Sequence, residues 1–558
     1  MTRAELQRKV LEVRPTVVDR AISYFSPVRG VQRHRARMAL AMVGGYTGAR
    51  RDRRATSEWP VSVGSADADI LPDLPTLRDR SGDLERNEPL AGGAISTVVT
   101  HAIGTGLWPR PQIDRELLGL TEEAAHAWEK QAEREFWLWA DSYECDITRT
   151  QKFCALQALA LRSRLGRGDV FVARYFLERP GSPYGLKIGF IEGDRVANPP
   201  GVRDGGKAPN GNRICGGIEI DAYGAPVANH ILKQHPGDFL LGTGAGSRET
   251  ERREVFGTET GERLILHLFA RRRVDQKRGV PFLAPVIEPL KQLGRYKSAE
   301  IDATVVSSFL TLLVKTASGE GMAPMTPTSE IGGKKSDQDF KLGPAAVLDL
   351  LPNEDVTVVN PLRPNPNFEP FVQAFFRQIG VGLEIPFEVL MKYFQSSYSA
   401  ARGALLEAWK MFSCERGGMA DDLCQPVYEW VISEAVARGR LASRGFFDDP
   451  LIRAAWLGTQ WIGPPPGMID PEAEANAAEK WIDLGVKTME EVTTETTGGD
   501  WETKHAQRAK ERRMRVEAGL DVEAIAQRTQ VETPGPAAPP KPSPTQAEKQ
   551  RQQSGGGY

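Results

Sequence analysis

No stretch of this chain is apolar enough to span a bilayer. The longest candidate, Ile301 to Val314, is shorter than the roughly 20 residues a crossing requires and carries Asp302, Ser307 and Ser308. The opening residues "MTRAELQRKVLEVRP" mix charges of both signs around no apolar core, so no secretory signal is expected and the chain is expected to start in a cytoplasm. Cysteine is scarce: Cys145, Cys154, Cys215, Cys414 and Cys424 are scattered, odd in number and without a Cys-x-x-Cys pair, which excludes a disulfide framework and reads as reduced packing residues. The seven histidines are dispersed too, and His230 and His235 lack both the i,i+4 spacing and the neighbouring cysteine pair of a zinc site. No metal or cofactor is expected.

The motifs of several enzyme classes are also missing. "DGGKAPN" at 204–210 and "EIGGKKSD" at 330–337 do not satisfy G-x-x-x-x-G-K-[ST], so no phosphate-cradling loop for nucleotide hydrolysis is expected. "GTGAGS" at 242–247 is not a G-x-G-x-x-G entering a helix and reads as a loop. Neither G-x-S-x-G nor an S-x-x-K set forms a constellation for acyl transfer. The "RGD" at 167–169 is short enough to arise by chance and sits just ahead of a strand pattern.

Strong net charge is absent as well, at −2 over 558 residues. Gripping DNA along its length needs a broad surplus of Lys and Arg, so tight nucleic-acid binding is not the default reading. The charge is uneven, however: residues 1–54 carry 13 Lys/Arg against 4 Asp/Glu, a basic arm that either meets a polyanion or is simply solvated.

What is present suits a large soluble protein, with 40% hydrophobic and 26% charged residues in a length that accommodates roughly three or four compact units or one elongated multi-part subunit. Helix is expected over about 77–103, with a break at Pro89, and over 122–165. Period-two alternation in "GDVFVARYFLE", "LKIGFIEGDRVANP", "GGIEIDAYGAPVANHIL" and "ERLILHLFARRR" predicts a β-rich block, with a turn at Asp221 to Gly224. A long helix is expected over about 283–315, its first turns weakened by Pro281, Pro285 and Pro289. Residues 317–366 are Gly/Pro-rich and end in a strand-like "DVTVV"; "NFEPFVQAFFRQIGVGL" reads as a second helix. The last residues, Pro/Gly/Gln-rich and nearly free of apolar bulk, are expected to be disordered.

The stretch "YFQSSYSAARGALLEAWKMF", Tyr393 to Phe412, poses the sharpest local question. Ser396, Ser397 and Ser399 beside Arg402 could supply a nucleophile with an anion clamp, or only begin a helix. Leu405, Trp409 and Phe412 make one apolar helical face, and Ser397 or Ser399 is placed to cap it. The cap is the better reading. Arg402 in the first turn opposes the helix dipole, which invites a specific partner or ligand.

The same stretch, "SSYSAARGALLEAWKMF", resembles the Tyr-Ser-Ser-Ala-Arg helix start of the lambda-type portal proteins of tailed phages, with alanine at position 400 where a second serine is common. Further segments resemble that family in the same order: "GSADADILPDLPTLRDRSGDLERNEPLAGGAISTVVTHAIGTGL", "GIEIDAYGAPVANHIL", "HLFARRRVDQKRGVPFLAPVI", "NPNFEPFVQAFFRQIGVGLEIPFEVL" and "IDPEAEANAAEKWIDLGVKTMEEV". The likeness runs from about residue 62 to 520.

The resemblance implies an α+β fold: an elongated multi-part subunit with long stem helices, a β-containing wing and clip, and a helical crown. By that analogy residues 1–60 are a basic arm, 61–280 the wing, 281–316 a stem helix, 317–364 the clip and 365–384 the returning stem helix. Residues 385–440 are then the channel loop and wing helices, 441–530 the crown and 531–558 a disordered tail. It further implies a homo-oligomeric ring of about twelve subunits at one capsid vertex, through which double-stranded DNA passes in packaging and ejection without being tightly held. Its implied partners are the terminase large subunit, which supplies the energy, a head-tail connector, and the major capsid and scaffold proteins. Its implied places are the virion and, during assembly, the host cytoplasm. No catalysis is implied. Lys392, Tyr398, Ser399 and Arg402 fall on the channel loop and its following helix; Lys291, Arg295 and Lys297 are candidates to face the lumen or a neighbouring subunit; Lys334 and Lys335 are candidates to meet the terminase. Two other readings stay open: a hydrolase or nuclease using Ser399 with Glu407, and a monomeric or dimeric head-to-tail adaptor.

Overall fold

The computed structural model describes residues 22, 24–27, 31–32, 63–241, 249–308, 312–316, 354–358, 368–394, 397–467, 470–518 and 520. Most of the basic arm, most of the expected clip with Lys334 and Lys335, the glycine loop at 242–247, Ser396 and the C-terminal tail lie outside them. The chain divides into two units, residues 1–69 and 70–558. In the first, Ser65 Oγ accepts a hydrogen bond from Ala68 N (3.2 Å) at the start of a short helix that begins at Ala66.

The second unit opens with two helices, α1 (Leu74–Asn87) and α2 (Pro89–Ala102). The break expected at Pro89 is there: Glu88 takes an extended conformation, as a residue before proline must, and Pro89 starts the next helix where a missing N–H costs nothing. Strand β1 (Trp108–Pro111) leads to α3 (Glu122–Ala140), capped by Thr121, whose hydroxyl accepts from Ala124 N at 3.3 Å. Helix α4 (Phe153–Arg167) then runs into β2 (Asp169–Phe176), so the expected 122–165 helix is two helices separated by a loop.

The β-rich block follows as β3 (Leu186–Glu192), β4 (Gly206–Lys207), β5 (Arg213–Cys215), β6 (Ile218–Ile220), β7 (Pro226–Leu232), β8 (Thr250–Glu254) and β9 (Ile265–Phe269). It forms two antiparallel sheets, one in the order β3-β2-β9 and one in the order β4-β5-β6-β7-β8. In the first, Val172 stands opposite Phe190 on one side and Leu266 on the other. Phe171, Ile191, Ile218, Ile220 and Ile231 make a small shared core.

One expectation is corrected after this block. The helix predicted over 283–315 is a single 3-10 turn, Ala284–Val286, and then α5 (Ile287–Ser308), about 33 Å long. Pro285 and Pro289 confine the start, because each removes a backbone donor tolerated only in a first turn. The end is set by long-range pairing: β10 (Leu312–Thr316) leaves helix to bond antiparallel to β11 (Glu354–Val358), with Val314 opposite Val356. β-branched residues suit that ladder better than they suit helix.

Later elements include α6 (Phe368–Gly382), α7 (Phe387–Met391), α8 (Tyr398–Met419), α9 (Gln425–Ala437), β12 (Thr459–Ile462), which pairs with β1, and α10 (Pro471–Asp483), α11 (Met489–Thr497) and α12 (Trp501–Glu517). The main core gathers α2, α3, α4, α8 and α9 around Ile95, Val98, Phe136, Trp139, Phe153, Tyr428 and Phe446, all nearly inaccessible to solvent. Trp139 satisfies its buried indole N–H on Leu186 O (2.9 Å), tying this core to β3.

Candidate functional site

The stretch flagged in the sequence becomes an exposed loop mounted on an anchored helix. Two non-glycine residues with positive φ, Glu384 (57°) and Lys392 (54°), bracket the five-residue α7, so the chain reverses sharply on each side of it. Lys392 is the left-handed residue that ends α7, and Tyr393 N donates back to Glu388 O at 3.0 Å. Beyond it Tyr393, Phe394 and Tyr398 stand 44%, 48% and 52% exposed, beside exposed Lys392 and Arg402. Three large rings exposed close together in sequence make an apolar patch of the kind that marks a contact surface.

The base of this loop is firm. Phe412 is buried, Leu405 and Trp409 pack against the main core, and Phe412 stacks on His101 of α2 with ring centres 4.8 Å apart. Burial lowers the His101 pKa and the nearby Lys392 charge pushes the same way, which keeps the ring neutral and stacked. Arg416 lies over Trp409 (4.8 Å) and donates to the carbonyls of Ala102 (3.1 Å) and Pro464 (2.8 Å), covering the C-terminal end of α2.

Ser397 occupies the N-cap position expected of it, but its hydroxyl makes no capping hydrogen bond; Ala401 N is satisfied by Ser397 O at 3.0 Å. Ser399 and Glu407 sit eight residues apart on one helix, about 12 Å along its axis, and Glu407 is paired with Lys410 (2.8 Å). They do not meet, which removes the geometric basis of the hydrolase reading.

Helices α5 and α6 pack together through Tyr296, whose ring lies 5.7 Å from Phe368 and 4.9 Å from Phe371. On α5, Lys291 and Arg295 are exposed, whereas Lys297 is half-buried in an ion pair with Glu88 at 2.9 Å. Lys297 is therefore engaged within its own subunit.

A buried charge network, which sequence reasoning missed, fixes the passage from the β-block into α5. Asp169 is fully buried and accepts from Arg278 Nε (2.6 Å), Arg78 Nη2 (2.6 Å) and Gly279 N (3.2 Å), with His267 Nε2 at 3.2 Å. Despite the cost of burial, the two guanidiniums hold this carboxyl well below the usual range. Arg278 also donates to Val196 O (2.8 Å) and Gly193 O (2.6 Å). At the same place the backbones of Gly168 and Gly279 touch: a Cβ on either would overlap the other's carbonyl oxygen. The "RGD" triplet is thus a closely packed helix-to-strand junction with its aspartate inaccessible.

Near this network, a cleft of about 830 Å³ is lined in part by Arg78, Arg167, Asp194, His235 and Arg278. Glu192, Asp194 and His235 bring three donor atoms within 4.8 Å of one another. Arg78 and Arg167 stand 3.5 and 4.0 Å from the Asp194 carboxylate, and their charge opposes a cation there.

Comparisons with known proteins complete the picture. Residues 52–416 match the family model described as "Phage portal protein, lambda family". The chain is 25% identical over 505 residues to the portal protein of Escherichia phage N15, covering 87% of this chain and 91% of that one. It is 24% identical over 489 residues to portal protein B of Escherichia phage lambda, covering 84% and 89%. Among solved structures it resembles a chain from the neck of an empty gene transfer agent particle, at 13% identity and a TM-score of 0.40, over 80% of this chain and 97% of that one.

Proposed function

We propose, from the premise that this chain belongs to the lambda family of phage portal proteins, that it works as a closed ring of about twelve copies at one vertex of the capsid. In that ring residues 61–280 form the wing, 281–316 and 365–384 the two stem segments, 317–364 the clip, 385–440 the channel loop with wing helices, and 441–530 the crown. Double-stranded DNA passes through the centre in packaging and ejection. The terminase large subunit docks at the clip, where Lys334 and Lys335 are its proposed contacts, a head-tail connector takes its place afterwards, and the major capsid and scaffold proteins are further partners. The subunit is made in the host cytoplasm and ends in the virion, and its part in packaging is structural, with no catalysis of its own.

The observation that carries the conduit is the loop around Lys392 and Tyr398: exposed rings and cations held on a helix locked into the core by Phe412 and Arg416. Such a surface meets the sugar-phosphate backbone of duplex DNA through charge and packing without reading sequence. The near-zero net charge over the whole chain supports the same reading, since a broad surplus of fixed phosphate contacts would strengthen binding and slow sliding, whereas a local one need not. Lys291 and Arg295 on α5 are the stem cations proposed to face the lumen or the next subunit; Lys297 is committed to Glu88.

Native mass spectrometry with negative-stain imaging of the purified chain tests this. A closed ring of about twelve copies with a central hole supports it. A chain that stays monomeric or dimeric across salt and concentration, and also when co-expressed with capsid and scaffold proteins, overturns it in favour of an adaptor.

A further inference from the structure

Helix α12 is exposed along almost its whole length and strongly basic. From Thr503 to Ala518 every residue is exposed, and that span holds six Lys/Arg, Lys504, Arg508, Lys510, Arg512, Arg513 and Arg515, against two acids, Glu511 and Glu517. Its first turn is fastened to the body: Asp500 caps it by accepting from Thr503 N (2.9 Å), and Glu502 pairs with Lys130 (3.3 Å) and His126 (3.2 Å) of α3. The one acid on the anchored turn is therefore already used. Among the described residues Arg508, Lys510, Arg513 and Arg515 have no ion-pair partner.

A helix whose exposed length is polar apart from alanines, Met514 and Val516, held at one end and carrying unpaired cations, has no stabilising reason within this subunit to be so basic. At about 100° per residue, Arg508 and Arg515 fall within about 20° of each other on one side, while Lys510 and Arg513 lie on the opposite side. A helix of about 10–12 Å diameter fits a major groove about 12 Å wide, and cations on its two flanks then face the two phosphate backbones. An anionic protein surface would need only one flank.

We infer that α12 is a second, sequence-independent contact for the phosphate backbones of duplex DNA, carried by Arg508, Lys510, Arg513 and Arg515 on opposite flanks of the helix. The choice of DNA as the polyanion rests on the conduit reading above. The contact is made by charge alone: no base is read, and the energy comes from releasing counterions.

The test is fluorescence anisotropy of a labelled 30-base-pair duplex with the full chain, titrated between about 50 and 200 mM salt, for the wild type and for the variant carrying R508Q, K510Q, R513Q and R515Q. Loss of four phosphate contacts lowers the log–log salt slope by about 3 to 4 and the affinity at the upper salt by on the order of 100-fold. A variant with lysine at all four positions restores the slope. Unchanged slope and affinity in the glutamine variant overturn the inference, as does poly-glutamate competing as well as unlabelled duplex at equal charge. A variant with four arginines of the basic arm replaced (R50Q, R51Q, R53Q and R54Q) separates place from total charge: if it loses as much as the α12 variant, the inference fails. Ring formation, read by native mass spectrometry on the same samples, reports on the conduit separately. A chain that makes no ring yet loses the slope in the α12 variant sinks that reading and leaves this contact standing.

Discussion

Arg278 and Asp169, 109 residues apart, form a two-point pair closed to solvent, with Nε 2.6 Å from Oδ2 and Nη2 3.2 Å from Oδ1. Arg278 lies on the segment that leads towards α5 and Asp169 opens β2, so this pair ties that segment to the start of the three-stranded sheet. A buried ion pair is weak evidence of net stability, but breaking one half of it is expensive. Asp169→Asn leaves Arg278 and Arg78 buried with too little countercharge, so the expected loss is about 3–5 kcal/mol. Urea unfolding followed by tryptophan fluorescence measures it, and a loss under about 1 kcal/mol, the ordinary size for a point change, would count against the network as a keystone.

Beside that pair, Gly279→Ala places a methyl group against the Gly168 carbonyl. Overpacking of this kind costs about 1–3 kcal/mol, and the backbone shift should also lower the yield of assembled rings. Gly93→Ala is the matched control: a Cβ there meets nothing within 4 Å, in the middle of α2, and is expected to gain up to about 1 kcal/mol. Thermal unfolding of the two variants should move in opposite directions.

Acid should weaken the second sheet. Glu219, inaccessible on β6, accepts from Arg252 (2.8 Å), Asn212 (2.8 Å) and Asn210 (2.5 Å), and the hydrogen bonds from Arg252 lead in pulling its carboxyl down from 4.5 to about 2. A carboxyl whose folded pKa is depressed stabilises fully above its unfolded value and loses that contribution as pH falls through the folded one. The contribution is therefore whole above about pH 4.5 and fades toward about pH 2. With Arg252 partly exposed, it amounts to on the order of 1–2 kcal/mol. The stability gap between wild type and Glu219→Gln should shrink over that window; a gap that stays constant from about pH 5 to 2 would show the pairing contributes no pH dependence.

Ser399→Ala should do nothing measurable to stability, within about 0.5 kcal/mol, because the hydroxyl is exposed and far from Glu407. Infectivity of phage carrying the variant should match wild type. A loss of function with rings intact would revive a role for that serine in chemistry.

Local patterns carried much of the fold. Pro89 marked a helix boundary by itself, period-two alternation located β2, β3, β7 and β9, and the i, i+4, i+7 spacing of Leu405, Trp409 and Phe412 gave the buried face of α8. Where a partner distant in sequence decides, the pattern failed. Leu312 to Thr316 is apolar enough for either helix or strand, and only Glu354–Val358, some forty residues on, settles it as a strand. Asp169, Arg78 and Arg278 look like ordinary surface charges until the fold brings them together. Within the candidate site, Lys392, Tyr398 and Arg402 were legible from family likeness, while Tyr393 and Phe394 were not singled out, because an aromatic pair reads as core until its exposure is known.

Those two rings, with Tyr398, give the most direct test of the loop. Tyr393, Phe394 and Tyr398 are about half exposed, so replacing all three by alanine removes little packing and should leave folding and ring formation within about 0.5 kcal/mol per site of wild type. If they steady the passing duplex by packing against its sugars, each such contact is worth on the order of 1 kcal/mol, and losing even one corresponds to roughly a fivefold change in how long DNA is held. The expected result is normal rings, normal initiation of packaging, and DNA that slips back out of the filled head. Retention of packaged DNA against nuclease, measured in particles built with the triple variant, reads this directly. Full retention would mean that the loop shapes the channel without touching its cargo, and would transfer the contact to Lys291 and Arg295 on α5.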